Sequence, residues 1–215
     1  IVVIPLGFDL ERFNTNKESK RIEFRKKWNL KENEIAIGII GRLVPIKNHM
    51  FFIDAIQKVL KKSEFPIRAF IVGDGEEKQN IINYIKSKNL DFSLDHTPAT
   101  FNLTSWVKEI DRVNSGMDII CLTSLNEGTP VSLIEAQASG KPIVSTKTGG
   151  IKNIVLENKT ALLSEKNDLH NFSKNLLSLV NDSEKRILFS KYGLEKSKDF
   201  HYDKLIDSMK KLYKI

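Results

Sequence analysis

The chain contains the segment Leu122-Thr-Ser-Leu-Asn-Glu-Gly-Thr-Pro-Val-Ser-Leu-Ile-Glu-Ala-Gln-Ala-Ser-Gly-Lys-Pro142, which continues the apolar run from Met117 to Leu122. This apolar run predicts a buried strand. Pro130 has the fixed backbone angle that is favoured at the first position of a helix, and Thr129 before it is a good N-terminal cap. The segment therefore predicts a strand, a turn and a helix in succession.

The start of this predicted helix suits a negatively charged ligand. A helix begins with unpaired N–H groups and the positive end of its peptide dipoles, which favour phosphate or the charge on a leaving diphosphate. Gly128, Thr129 and Val131 can offer such N–H groups, whereas Pro130 has none. Gly128 also lets the backbone approach a ligand closely, because it has no side chain.

Two carboxylates flank the helix start, Glu127 and Glu135, with seven residues between them. Glu135 is expected about a turn and a half inside the helix, roughly 8 to 9 Å further along its axis, so the two cannot form a close pair that shares a proton. The separation fits two ends of one elongated ligand, because carboxylates accept hydrogen bonds from sugar hydroxyls. Alternatively, Glu135 is an ordinary exposed helix residue, since glutamate is a common helix former.

Apolar strand-like runs alternate with amphipathic helical stretches along the chain. The clearest are strands at residues 35–41 and 67–72 and helices at residues 50–62 and 76–87. This alternation is typical of an α/β fold in which helices cover a parallel, Rossmann-like sheet on both faces. Gly73-Asp-Gly75 lacks the third glycine of a dinucleotide fingerprint and predicts a plain strand-to-helix turn. Residues 89–101 have no clear period and predict a loop before a strand that ends near Trp106.

Four segments together resemble a known family. Their order and spacing are similar to those of the C-terminal, nucleotide-sugar-binding domain of retaining GT-B glycosyltransferases in glycosyl transferases group 1, also called family 4. The segments are Val3-Ile-Pro-Leu-Gly-Phe-Asp-Leu-Glu-Arg-Phe13, Gly38-Ile-Ile-Gly-Arg-Leu-Val-Pro-Ile-Lys-Asn-His49, the double-glutamate segment, and Gly140-Lys-Pro-Ile-Val-Ser-Thr-Lys-Thr-Gly-Gly150. The resemblance covers nearly all of residues 1–215 and implies one half of a GT-B fold.

The resemblance implies roles for single residues. Arg42 and Lys47 would hold the donor diphosphate, Glu127 would lie at the donor sugar, and Glu135 would bind the nucleotide ribose. Physical reasoning agrees for Arg42, which follows a predicted strand at the carboxyl edge of the sheet, where open α/β folds bind ligands. Arg42 could bind two phosphate oxygens with its planar fork, whereas Lys47 would act as a point charge. The alternative is a solvated charge after a strand.

Trp106 and Val107 are candidates for contact with the nucleotide base. In the resembled family, the backbone near this position often meets the base. A tryptophan is more often a packing residue than a platform for a base, so packing remains the alternative for Trp106.

The resemblance implies transfer of a sugar from a nucleotide-diphosphate sugar to a glycan or lipid-linked acceptor, with retention of configuration, in polysaccharide or lipid-linked glycan synthesis. The family uses no bound metal, and the nucleotide-sugar is a substrate rather than a cofactor. Arg42, Lys47 and the helix start can stabilise a departing diphosphate, which a metal would otherwise do. Two alternatives remain: a GT-B-fold nucleotide-sugar epimerase or phosphorylase, and a non-catalytic binding module.

Composition predicts an ordinary globular domain, with 40% hydrophobic and 28% charged residues. The single Cys121 lies in an apolar run, so we expect a core residue in a reducing compartment. No apolar stretch approaches the roughly 20 residues that span a bilayer, and no signal peptide is visible at the start, which favours the cytoplasm.

The net charge of +7 does not by itself indicate nucleic-acid binding. The lysines are interleaved with acidic residues along predicted helix faces, and no nucleic-acid motif accompanies them. Attraction to anionic lipid head groups at the inner face of the membrane stays open, because it would suit an enzyme with a lipid-linked acceptor.

Both ends of the chain predict half of an enzyme. The chain begins with the apolar run Ile1-Val-Val-Ile4, and its last helix carries an apolar stripe of Leu205, Met209, Leu212 and Tyr213. In the resembled fold, residues 1–13 would arrive from an N-terminal domain and a helix at about residues 200–215 would pack back toward it. That domain would supply most of the acceptor site, so the chain alone would be inactive. We therefore assign no catalytic role to the four histidines, His49, His96, His170 and His201.

Overall fold

The computed structural model describes residues 4–214. Within this range the chain forms seven strands, β1 (Ile35–Ile40), β2 (Ile67–Val72), β3 (Phe92–Ser93), β4 (Phe101–Leu103), β5 (Ile119–Leu122), β6 (Ile143–Thr146) and β7 (Ala161–Ser164). In the same range it forms ten α-helices, α1 (Glu11–Asn14), α2 (Lys17–Lys27), α3 (His49–Leu60), α4 (Lys78–Ser87), α5 (Ile110–Gly116), α6 (Val131–Ala138), α7 (Ile151–Ile154), α8 (Leu169–Asn181), α9 (Ser183–Ser197) and α10 (Tyr202–Tyr213). Short 3-10 turns at Pro45–Lys47 and Lys198–Phe200 precede α3 and α10.

The strands form one parallel sheet in the order β3-β4-β2-β1-β5-β6-β7. The order therefore reverses between β1 and β5, which are neighbours in the sheet although three strands separate them along the chain. In open α/β sheets a crevice forms at such a switch point, outside the carboxyl ends of the strands. The predicted Rossmann-like α/β fold is confirmed.

Helices cover both faces of the sheet. Side chains alternate between the two faces along a strand, and β1 shows this directly. Ile37 and Ile39 pack with α3, α4 and α8 in one buried cluster, whereas Ala36 and Ile40 pack with α2, α5 and α6 in another. These two layers hold the sheet rigid beneath its carboxyl edge.

Most predicted elements are present, with small differences at their ends. The strand expected at residues 67–72 has those bounds, and the helix expected at residues 50–62 is α3. The apolar run from Met117 is strand only from Ile119, because Met117 closes α5. Residues 89–101 are not entirely a loop, since they contain the short edge strand β3, which pairs with β4.

The single cysteine is a core residue, as predicted. Cys121 lies in the middle of β5 and is 1% exposed. Burial raises the pKa of its thiol above the ordinary value, which disfavours the reactive thiolate form.

The first described residues lie against the start of the last helix. The Phe8 N–H donates to the Phe200 carbonyl at 2.8 Å, and the Tyr202 N–H donates to the Phe8 carbonyl at 3.1 Å. The predicted apolar run Ile1-Val-Val-Ile4 falls almost wholly outside the described residues. The assignment of residues 1–13 to a connection between domains remains a prediction.

The predicted amphipathic helix at the C-terminal end is α10, which buries none of its residues. Met209, Leu212 and Tyr213 are 38%, 47% and 63% exposed, so residues 4–214 leave these three residues of the stripe uncovered, whereas Leu205 is half-buried. Every helix among the described residues is too short or too polar to cross a bilayer.

Candidate functional site

A cleft of about 930 Å³ opens at the carboxyl edge of the sheet. Its walls come from the segments that follow β1, β2, β4 and β5, which places it at the switch point of the strand order. The lining residues are Arg12, Ile40, Gly41, Arg42, Val44, Ile46, Lys47, Val72, Gly73, Trp106, Val107, Lys108, Ile110, Glu127, Thr129, Pro130, Val131, Ser132 and Glu135. All predicted site residues are among them except Gly128, which lies between two lining residues.

The segment after β1 carries Arg42, which is exposed at the cleft. Backbone contacts with the segment after β2 hold it in place. The Leu43 N–H donates to the Asp74 carbonyl at 3.0 Å, and a side chain at Gly73 would place its Cβ 2.0 Å from the Gly41 carbonyl oxygen. The Gly73-Asp-Gly75 turn therefore fixes the backbone that presents Arg42, a role that its glycine spacing did not reveal.

Lys47 ends the 3-10 turn before α3, and the end of β5 anchors this turn. The Thr123 hydroxyl donates to the Lys47 carbonyl at 2.8 Å, and the Leu125 N–H donates to the Ile46 carbonyl at 2.8 Å. His49 follows at the start of α3 and is 2% exposed. Burial, together with the nearby Lys47 charge, lowers the pKa of His49 to about 4, so its imidazole is neutral at pH 7. His49 is not among the residues that line the cleft.

Lys47 and Glu127 form a direct ion pair. The Lys47 Nζ lies 2.6 Å from the Glu127 Oε1, and the Ser124 hydroxyl donates to the same oxygen at 2.6 Å. The resemblance implies a diphosphate role for Lys47 and a sugar role for Glu127, but the sequence does not indicate their pairing, because the two residues are 80 positions apart. A lysine ammonium has three donors, so the ion pair leaves two for a ligand.

The helix start differs from its prediction. Pro130 is the N-cap residue of α6 in an extended conformation, with φ −74° and ψ 90°, and Val131 is the first helical residue. Thr129 thus lies one residue too early to cap the helix, and the prediction that it does so is wrong. Among residues 4–214, no acceptor receives the N–H groups of Gly128, Thr129 or Val131, so all three remain available to an anion.

The double glycine after β6 supports the turn that carries Glu127. The Gly150 N–H donates to the Glu127 carbonyl at 2.9 Å. A Cβ at Gly149, where φ is +50°, would lie 1.9 Å from the Glu127 carbonyl oxygen, and one at Gly150 would lie 2.0 Å from the Gly128 carbonyl oxygen. The two glycines thus allow a backbone contact that any side chain would block.

Glu135 lies inside α6 and lines the cleft half-buried, so it is not the ordinary exposed residue of the alternative interpretation. Burial raises the pKa of Glu135 to about 7, the Arg12 charge opposes this rise, and the Asp111 charge adds to it. The carboxyl group is therefore close to its titration point at neutral pH. Arg12, in α1, is a cleft residue that no sequence signal indicated.

Trp106 forms part of the opposite wall with Val107. Its side chain is 71% exposed, so it is not a packing residue of the core. An exposed aromatic face at a cleft can stack against a planar ligand group.

Comparison with known proteins identifies the family. The family described as "Glycosyl transferases group 1" matches residues 20–196. The chain belongs to this family of glycosyltransferases. The chain is 30% identical over 215 residues to the UDP-Gal:alpha-D-GlcNAc-diphosphoundecaprenol alpha-1,3-galactosyltransferase of Escherichia coli, covering 99% of this chain and 54% of the relative. It is 25% identical to the D-inositol 3-phosphate glycosyltransferase of Corynebacterium urealyticum, covering 100% of this chain and 51% of the relative.

Solved structures show the same fold. HepE of Anabaena, solved with UDP and glucose, superposes with a TM-score of 0.84 at 19% identity, covering 100% of this chain and 57% of HepE. The C-terminal domain of a glycosyl transferase group 1 family protein from Francisella tularensis superposes with a TM-score of 0.73 at 22% identity, covering 89% of this chain and 97% of that domain. The chain spans about half the length of the curated relatives it matches and has the fold of a GT-B C-terminal domain.

The histidines of the chain do not line the cleft. The His201 Nδ1 accepts the Asp203 N–H at 3.4 Å and caps α10, and the His96 ring lies 4.2 Å from Trp28. Within residues 4–214, no cluster of three or more His, Cys, Asp or Glu residues could hold a metal ion.

Proposed function

We propose that this chain is the donor-binding half of a glycosyltransferase that transfers a sugar from a nucleotide-diphosphate sugar with retention of anomeric configuration. The observation that carries the proposal is that Arg42, Lys47, Glu127, Thr129 and Glu135 line the same cleft. It combines cations, unpaired backbone donors and two separated carboxylates. This combination suits a diphosphate that links a sugar to a nucleoside.

The diphosphate would lie between Arg42, Lys47 and the start of α6. Arg42 offers a planar fork to two oxygens, Lys47 has two donors that the ion pair does not use, and the turn offers the free N–H groups of Gly128, Thr129 and Val131. As the bond from the anomeric carbon to the diphosphate oxygen breaks, its electron pair stays on that oxygen. These groups stabilise the resulting charge without a bound metal.

The two ends of the donor would contact the two carboxylates. Glu127 accepts hydrogen bonds from sugar hydroxyls, and Glu135 accepts them from the ribose. The base would then reach Trp106 and Val107 on the opposite wall. During transfer the acceptor hydroxyl forms its bond to the anomeric carbon on the face that the diphosphate leaves, and its proton moves to the solvent or to the departing diphosphate.

A uridine nucleotide is the proposed donor, with a glycan or lipid-linked acceptor. The name of the Escherichia coli relative specifies UDP-Gal and a diphosphoundecaprenol acceptor, and HepE was solved with UDP. Such an acceptor favours work in the cytoplasm at the inner face of the membrane, with basic residues of the chain near anionic lipid head groups.

An N-terminal domain would supply the acceptor site. The exposed Met209, Leu212 and Tyr213 of α10 support this proposal, because such an apolar stripe is typical of a surface that another domain covers, and the chain spans only about half the length of its relatives. The isolated chain would then bind the donor without turning it over.

Calorimetric titration of the full-length protein with UDP, GDP and ADP, with and without magnesium, tests the proposed donor site. We expect UDP to bind equally with and without magnesium, and Arg42→Ala and Glu135→Ala to weaken it. Lys191→Ala and Glu184→Ala are matched controls, because both residues are exposed on α9 outside the cleft. Unchanged UDP affinity in Arg42→Ala would refute the diphosphate site. Product analysis separates transfer from epimerisation, since an epimerase needs no acceptor.

A further inference from the structure

Ser124 follows β5, and its hydroxyl group contacts the carboxylate of Glu127 three residues later. Its side chain is fully buried at 0% exposure, and its hydroxyl donates to the Glu127 Oε1 at 2.6 Å. The Lys47 ammonium reaches the same oxygen at 2.6 Å. One carboxylate oxygen therefore receives two donors from the protein.

The other oxygen of Glu127 is left for a ligand. Among residues 4–214, no donor reaches the Oε2 atom, and Glu127 lines the cleft with 11% of its side chain exposed. A carboxylate held at one oxygen by two donors has little freedom to rotate. It presents its second oxygen in one direction.

Ser124 is itself fixed on its other side. Its carbonyl accepts the Thr146 hydroxyl at 2.7 Å, and Thr146 ends the neighbouring strand β6. This bond holds the Ser124 backbone, and with it the hydroxyl group, at the carboxyl edge of the sheet. Lys47, by contrast, has a long flexible side chain, and in the proposed function its ammonium group also binds the diphosphate.

We propose that Ser124 is a positioning residue that keeps the Glu127 Oε2 directed at the donor sugar while the Lys47 ammonium also binds the diphosphate. This inference rests on the proposed function, since it takes Glu127 to bind the sugar. Ser124 itself touches no substrate. Its effect therefore falls on the sugar part of the donor and not on the nucleotide.

Calorimetry on the full-length protein separates these two parts. UDP, UDP-galactose and UDP-glucose are titrated into the wild type, Ser124→Ala, Glu127→Gln and the control Ser145→Ala. Ser145 is also fully buried at a strand end, but its hydroxyl donates only to the Thr146 carbonyl at 3.0 Å. For Ser124→Ala we expect unchanged UDP affinity, while the preference for the better sugar nucleotide over UDP falls about tenfold, the effect of one hydrogen bond to a charged group.

The outcomes distinguish a failure of the positioning role of Ser124 from a failure of the proposed function. If Glu127→Gln reduces the sugar preference and Ser124→Ala does not, the positioning role is overturned and the proposed function stands. Loss of UDP affinity in Ser124→Ala, or an equal effect of Ser145→Ala, would mean that the hydroxyl only supports the fold. If Glu127→Gln leaves the preference unchanged, or if the wild type binds none of the three ligands, the proposed role of Glu127 and the inference fail together.

Discussion

Replacing Glu135 by glutamine should stabilise the ligand-free protein at pH 8 and lower its affinity for the nucleotide. Burial raises the pKa of Glu135 from 4.5 to about 7, which means that the folded state disfavours the ionised carboxylate. Glutamine has nearly the same shape and no charge to desolvate. It also lacks the second acceptor oxygen and the negative charge that suit ribose hydroxyls.

The pH dependence follows from the direction of this pKa change. Well below pH 4.5 the carboxyl group is neutral in both the folded and the unfolded states and has no pH-dependent effect on stability. As the pH rises from 4.5 to about 7, the unfolded state ionises first and stability is lost, and above pH 7 the loss is constant. The rise in pKa corresponds to roughly 3 kcal/mol, which partial solvation of the side chain reduces to about 2 kcal/mol.

Urea unfolding at pH 5 and pH 8 measures the effect. We expect Glu135→Gln to raise the free energy of unfolding by about 2 kcal/mol at pH 8 and by less than about 1 kcal/mol at pH 5. Glu184→Gln on the exposed face of α9 should change neither value by more than about 0.5 kcal/mol. A variant that is no more stable than the wild type at pH 8, or equally stabilised at both pH values, would contradict the role given to burial.

Three further outcomes are expected. Arg42→Lys should weaken UDP binding about tenfold in calorimetry, because an ammonium cannot reproduce the planar fork, and equal affinity would argue for a solvated charge. Gly149→Ala should lower the free energy of unfolding by about 2 to 4 kcal/mol, because its Cβ would lie 1.9 Å from the Glu127 carbonyl oxygen. The control Gly128→Ala should lower it by under about 1 kcal/mol, because a Cβ at Gly128 would meet nothing within 4 Å. Cys121 should resist a thiol reagent until urea unfolds the chain, and rapid reaction in the native state would refute its burial.

The sequence predicted the parts of the fold that depend on local pattern. β1 and β2 are fully buried strands of six residues. Their short, mainly apolar runs differ from the periodic pattern of an amphipathic helix, so the sequence alone predicts them as strands. The predicted start of α6 is one residue too early, because Pro130 suits both the first helical position and the extended position before it, and only the packing of the turn selects between them. Edge strand β3 has two residues and carries no periodic signal.

The predicted cleft residues do lie together, but their contacts could not be predicted. The pairing of Lys47 with Glu127 joins segments that are 80 positions apart, and it forms because β1 and β5 are adjacent in the sheet. Arg12 approaches Glu135 from α1, outside every strand-to-helix connection. Such contacts follow from strand order and from helix packing, which residue spacing does not specify. The ligand roles of these residues remain proposals.

The glycines at the cleft restrict how its specificity could be altered by mutation. Main-chain oxygens of Gly41, Glu127 and Gly128 lie where side chains at Gly73, Gly149 and Gly150 would have to fit, so these loops have no room to vary. Side chains that are exposed at the cleft, such as Trp106 and Val131 at 71% and 37% exposure, can change without disturbing these backbone contacts. A library built to change the preferred nucleotide or sugar should randomise those exposed positions and leave the glycines fixed.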